Sequence, residues 1–229
     1  MATLTARTAG TPLALDSKLL LASSGFVMLA YVLLHMSGNL LAFAGAATFD
    51  GYARALRETG SPFIGPGILL VVARVVLAGA LIAHVVAHVL TLLRPRARSR
   101  APRYTPTPPG YVANTFLLPQ ATGAVILIFV AFHLAHLTVG ASIPAFEPSS
   151  PYRNLITGLS SWPVALAYIA AAVAVGGHLL PGVWSAMRSL RLIGPRTEGA
   201  ARVLAPSIAV IVTLGISTVP VAVLLGVLS

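Results

Sequence analysis

Residues 29 to 43 read LAYVLLHMSGNLLAF, an apolar helix with one histidine, His35, set in its middle. An imidazole inside a membrane is costly to bury, so ionisable side chains there mark the use of a ligand, ion or partner. The rest of the chain repeats the pattern. His84, His133 and His178 lie in three further apolar segments, at intervals of 49, 49 and 45 residues counted from His35 onward.

Composition sets the class. Hydrophobic residues make up 57% of the chain and charged residues 9%, with a mean hydropathy of +0.89; a soluble domain carries roughly a quarter charged residues. An all-α, polytopic membrane protein is expected. The formal charge of +10 and pI near 11.3 do not point to nucleic acid, because the bases cluster in short loops between apolar spans, as in membrane proteins. Cysteine is absent, so disulfides, thiolate metal sites and iron-sulfur ligation within the chain are excluded.

In chain order, residues 1 to 17 read as a polar tail without a helical packing pattern. Five spans follow, at about 19–44, 66–93, 115–140, 162–187 and 204–228, each long enough for a bilayer that needs roughly 20 residues. The first exceeds the roughly 7 to 15 residues of a signal-peptide core, and His35, Ser37 and Asn39 interrupt it, so a retained anchor is expected. Between the first two spans, YARALRE (residues 52–58) forms a short interfacial helix. Between the second and third lies RPRARSRAPR (residues 94–103), with five arginines, and the Pro-rich stretch to Pro109 ends any helix. ASIPAFEPSSPYRN (residues 141–154) forms the next loop. Trp162 and Trp184, near the ends of the fourth span, read as interfacial aromatics.

Loop charge orients the chain. With the arginine-rich loop inside, Arg7, Lys18, Arg94, Arg96, Arg98, Arg100, Arg103, Arg188, Arg191, Arg196 and Arg202 are inner, and only Arg54, Arg57 and Arg153 are outer. This predicts a cytoplasmic amino terminus and an outer carboxyl terminus. Depth follows from the rise of about 1.5 Å per residue: His84 and His178 lie roughly 14 Å from the inner ends of their spans, and His35 and His133 roughly 24 and 27 Å. Two levels emerge, each with two histidines.

A tetrahedral zinc site needs about four ligands, or three and a water, and neither level has a cysteine or carboxylate to complete one. Heme iron needs only two axial ligands. Two b hemes are expected, an inner one on His84 and His178 and an outer one on His35 and His133. Gly25 and Gly123 near the inner level and Gly79 near the outer would let a porphyrin edge pass. The plainer alternative is helix packing and hydrogen bonding by the same residues. His136 is a second candidate for the outer ligand, at a depth that matches His35 less well. His88, one turn inward of His84, suits a heme propionate, a quinone or a snorkelling interfacial role. Arg74, ten residues before His84, needs an anion, and a heme propionate is the candidate in spans without carboxylates.

At these residues the chain resembles the single-subunit, five-helix diheme cytochrome b anchor of succinate:menaquinone oxidoreductases, the succinate dehydrogenase and fumarate reductase complexes. His35-Met-Ser-Gly-Asn39 resembles the family's first-helix H-x-x-x-N, Phe129-Val-Ala-Phe-His133 its third-helix ligand segment, and His178-Leu-Leu-Pro-Gly182-Val-Trp184-Ser185 its fourth-helix H-x-x-x-G-x-W-S. The resemblance covers residues 18 to 228. It implies a flavoprotein subunit carrying FAD and an iron-sulfur subunit on the cytoplasmic face, with electrons passing to or from menaquinone in the bilayer. It also implies no dicarboxylate chemistry in this chain, and allows a higher oligomer of the complex. The basic inner loops would give such partners a landing surface. Gly176 stands where some members carry an acidic residue, which puts a proton path through that helix in question. The quinone pocket is not placed: Asp50, Glu58, Arg74 and His136 gather at the outer end, and His88, Ser23 and Ser24 nearer the inner. Two rivals are the cytochrome b anchor of a formate dehydrogenase or hydrogenase, and a proton-coupled transporter, for which internal symmetry or broken helices with central carboxylates would be expected, and neither is read in the sequence.

Overall fold

The computed structural model describes residues 12–93 and 117–229, and every regular element in them is helical. α1 (Pro12–Leu40) runs into a 3-10 turn, Leu41–Ala44. α2 (Ala46–Glu58), α3 (Ile68–Leu93) and α4 (Leu118–His133) follow, α4 being prolonged by a π-helical turn, Leu134–Val139. α5 (Pro151–Leu159), α6 (Trp162–Ser189) and α7 (Glu198–Leu224) complete the chain. α1, α3, α4 with its π turn, α6 and α7 are long and apolar enough to cross a bilayer. The chain is an all-α, multi-pass membrane protein.

Proline in the first turn begins α4, α5 and α6, where its missing N–H has no intrahelical partner to lose. Pro181, Pro206 and Pro220 lie inside α6 and α7, as packed membrane helices allow.

We call the end at which α1 starts the inner end. α1 packs on α3, α6 and α7; α4 packs on α6; α6 packs on α7. The first four spans therefore form a square in which α1 faces α4, and α3 faces α6, across the diagonals. α7 backs this square. Near the inner end Leu29, Val183, Trp184, Ala201 and Ala205 form one buried cluster. Towards the outer end Ala42, Leu155, Leu159, Tyr168, Val219, Ala222, Val223 and Leu228 form another. Between α6 and α7 the fit is closest at Gly176, where a side chain would run into Thr213 and the Ala209 carbonyl. Val71, Val72, Val75, Val76 and Ile82 of α3 are exposed, as expected where the bilayer is the solvent.

α2 and α5 cap the outer end and pack on each other. The Asp50 carboxylate accepts from the Tyr152 N–H at 2.8 Å, a carboxylate set at a helix amino terminus that has free N–H donors. Arg57 donates to the Pro148 carbonyl at 3.1 Å. Asn154 closes the loop before it, accepting from the Glu147 N–H at 3.0 Å and donating to the Glu147 carbonyl at 2.6 Å.

Several sequence expectations change. Helix begins at Pro12, inside the stretch read as tail, because proline is at home in a first turn. The loop read over residues 141–154 ends earlier, since PYRN opens α5. α7 begins at Glu198, where an i,i+4 pair with Arg202 at 2.7 Å supports the first turn. Trp184 is buried against α7 rather than interfacial, while Trp162 is 68% exposed. The third span is not uniformly α-helical, its last six residues being the π turn. Arg7 and the run Arg94–Arg103 lie outside the described residues.

Candidate functional site

The diagonals of the square bring the four histidines together in two pairs. His84 of α3 meets His178 of α6 with ring centres 6.1 Å apart and planes at 61°. His35 of α1 meets His133 of α4 at 5.8 Å and 87°. These are the two pairs that depth alone suggested. His84 is held beside Ser24, eleven residues before His35, so the pairs are about 16 Å apart along the helix.

The inner pair is seated on neighbouring helices. The Nδ1–H of His84 donates to the Leu21 carbonyl at 3.1 Å, with Ser24 Oγ at 3.3 Å. That of His178 donates to the Pro119 carbonyl at 3.1 Å, with Thr122 Oγ1 at 3.3 Å. A carbonyl can only accept, so Nδ1 carries the proton and Nε2 is left as a bare lone pair. Gly25 and Gly123 follow the accepting carbonyls by one turn, and a Cβ on either would stand 3.3 Å from the histidine Cε1. Both glycines thus make room for an imidazole. Gly79 has open space where its Cβ would be.

The outer pair is held by rings. Tyr31 stacks on His35 at 5.3 Å, and Phe129 lies 5.9 Å from His133, each one turn before its histidine. His133 Nδ1 is buried without a hydrogen-bond partner. Asn39 donates to the His35 carbonyl at 2.9 Å.

Do these residues fit two axial ligands on one metal? A metal–imidazole bond is about 2 Å and the ring centre lies about 1 Å behind the nitrogen, so two rings on one axis stand about 6 Å apart. Both pairs meet that spacing. Among the described residues no group of three or more His, Cys, Asp or Glu gathers to hold an ion, so a tetrahedral site lacks its donors. A metal that brings its own equatorial ligands, as heme iron does, needs no more than each pair offers.

The remaining candidates separate. His136, only 3% exposed, accepts from or donates to the Tyr168 hydroxyl through Nδ1 at 2.9 Å and stacks on Phe132. A Cβ on Gly158 would lie 2.9 Å from its Cε1, so His136 ties α4 to α5 and α6, and His133 is the residue that faces His35. His88 lies half-buried within electrostatic reach of both His84 and His178. Arg74 is exposed on α3 and within electrostatic reach of Tyr31. Asp50 is held by α5, and Ser24 by the inner pair.

Tyr168 was missed by the sequence reading. Its ring meets Phe129 at 4.9 Å and His133 at 5.8 Å, so it backs the outer pair from α6. The signal was available: Tyr168 precedes His178 by ten residues, as Arg74 precedes His84. No family model, characterised protein or solved structure matches the chain.

Proposed function

We propose that this chain is the diheme cytochrome b anchor of a succinate:quinone oxidoreductase, in the plasma membrane of a bacterium, with its amino terminus in the cytoplasm. The observation that carries the reading is the pair of facing imidazole couples, stacked at two levels in the middle of one helical square. Heme iron, when bound, supplies a one-electron carrier at each level. The protein's own part is to fix the ring planes, hold bare Nε2 lone pairs on His84 and His178 at the inner gap, and keep water out with apolar helix surface. Arg74 would neutralise an outer propionate, and His88 would contact a propionate or quinone at the inner level. Basic inner loops would receive a flavoprotein and an iron-sulfur subunit, and the bilayer would deliver menaquinone.

A transporter reading draws on the same fold, because helix pairs α1/α3 and α4/α6 resemble one another and the third span has a π turn. It lacks central carboxylates: of the five acidic residues, Asp16 lies near the start of α1, and Asp50, Glu58, Glu147 and Glu198 lie in the outer cap, in the loop before α5, or at the start of α7. The test is a reduced-minus-oxidised spectrum of the purified membrane complex, with a heme count and identification of its subunits. A b-type spectrum, two hemes per chain, a flavoprotein and an iron-sulfur protein are expected. A colourless preparation would overturn the heme reading; formate dehydrogenase or hydrogenase subunits would move the anchor to that complex.

A further inference from the structure

α1 and α4 carry the same element at an offset of 98 residues. Ser24-Gly25, Tyr31 and His35 answer to Thr122-Gly123, Phe129 and His133. α3 and α6 answer to each other at an offset of 94, Arg74 and His84 matching Tyr168 and His178. In each half, the hydroxyl-glycine step of the first helix seats the histidine of the second, and eleven residues later the first helix supplies its own histidine to the other level.

The two hydroxyls are chemically equivalent. Ser24 donates to the Leu20 carbonyl and Thr122 to the Leu118 carbonyl, both at 2.6 Å. With their one hydrogen committed, each can only accept from the imidazole 3.3 Å away. Each inner Nδ1–H therefore faces two oxygens one turn apart. A ring turned over about its Cβ–Cγ bond would present carbon to both. Nothing of the kind serves the outer pair, where His133 Nδ1 has no partner.

We propose that Ser24 and Thr122 are matched positioning residues of the inner site, each a second acceptor that joins the Leu21 or Pro119 carbonyl in holding the Nδ1–H tautomer and ring plane of His84 and His178 so that both Nε2 lone pairs face the gap. This rests on the heme reading for what fills the gap. Acceptance of the Nδ1 proton raises ligand basicity and favours the oxidised metal, so the hydroxyls hold the inner potential down.

The test uses the intact membrane complex carrying Ser24→Ala, Thr122→Val and the double substitution, with heme content and a redox titration as readouts; the inner signal is the one absent from His84→Ala. Two hemes per chain should remain. The inner oxidised-to-reduced ratio at fixed potential should fall by up to about tenfold in the double variant, about 59 mV for a one-electron couple, and the outer signal should stay in place. Ser24→Thr and Thr122→Ser, which keep the hydroxyl, should titrate as wild type. An inner potential unchanged in the double variant overturns the inference and leaves the heme reading standing, as does an equal shift when the hydroxyls are kept. A wild-type complex without heme overturns both.

Discussion

The His35 imidazole stands almost perpendicular to that of His133, at 87°, while His84 and His178 are inclined at 61°. Were each pair to hold a ferric, low-spin heme iron as proposed, the angle between the imidazole planes would set the splitting of the metal orbitals they overlap, and perpendicular planes would leave those orbitals nearly degenerate. Two distinct electron paramagnetic resonance signals are expected, the more anisotropic one from the outer pair. His133→Ala should remove that signal; loss of the less anisotropic one instead would reverse the assignment.

His84→Ala should lower heme content from two to one per chain, because His178 would be left with no partner across the diagonal. Pyridine hemochrome quantitation checks this. Unchanged content would rule out the inner assignment.

His136→Ala should keep both hemes, since its Nδ1 is engaged with Tyr168. It leaves a buried hydroxyl unpaired, which costs about 1–3 kcal/mol, so a lower thermal midpoint in detergent is expected. Disappearance of the outer heme would transfer the ligand role from His133 to His136.

Gly176→Ala should destabilise the α6–α7 contact, because the new Cβ meets Thr213 and the Ala209 carbonyl; overpacking costs about 1–3 kcal/mol. Thermal unfolding of Gly176→Ala with and without Thr213→Ala checks the cause. Recovery in the double variant is expected, and no recovery would place the strain elsewhere.

Arg74→Leu removes a cation close to Tyr31, which stacks on His35. If Arg74 neutralises a propionate, the outer midpoint should move downward, since the reduced center loses a stabilising charge. A redox titration without movement would leave Arg74 as an interfacial side chain.

Much of the candidate site was legible because depth in a membrane helix is a count of residues. His35, His84, His133 and His178 could be sorted into two levels with nothing but the helical rise. The choice of His133 over His136 also followed from depth. What a count could not give was direction around the helix. That Gly25 and Gly123 each accommodate a histidine from another helix was therefore not foreseen. Trp184 was placed at an interface because it sits near a span end, but α7 packs over it. Tyr168 drew no notice, although its ten-residue lead on His178 repeats that of Arg74 on His84, because its role depends on neighbours across the bundle.

The sequence by itself determined the class and the vertical order: five apolar spans, and two histidines at each of two heights, because hydrophobicity and helical rise are local properties of the chain. Only the tertiary structure decided that the pairs meet across the diagonals, that Leu21, Ser24, Pro119 and Thr122 seat the inner rings, and that His136 is engaged elsewhere. Those are outcomes of how helices rotate and pack against each other, which depends on side chains far apart in sequence.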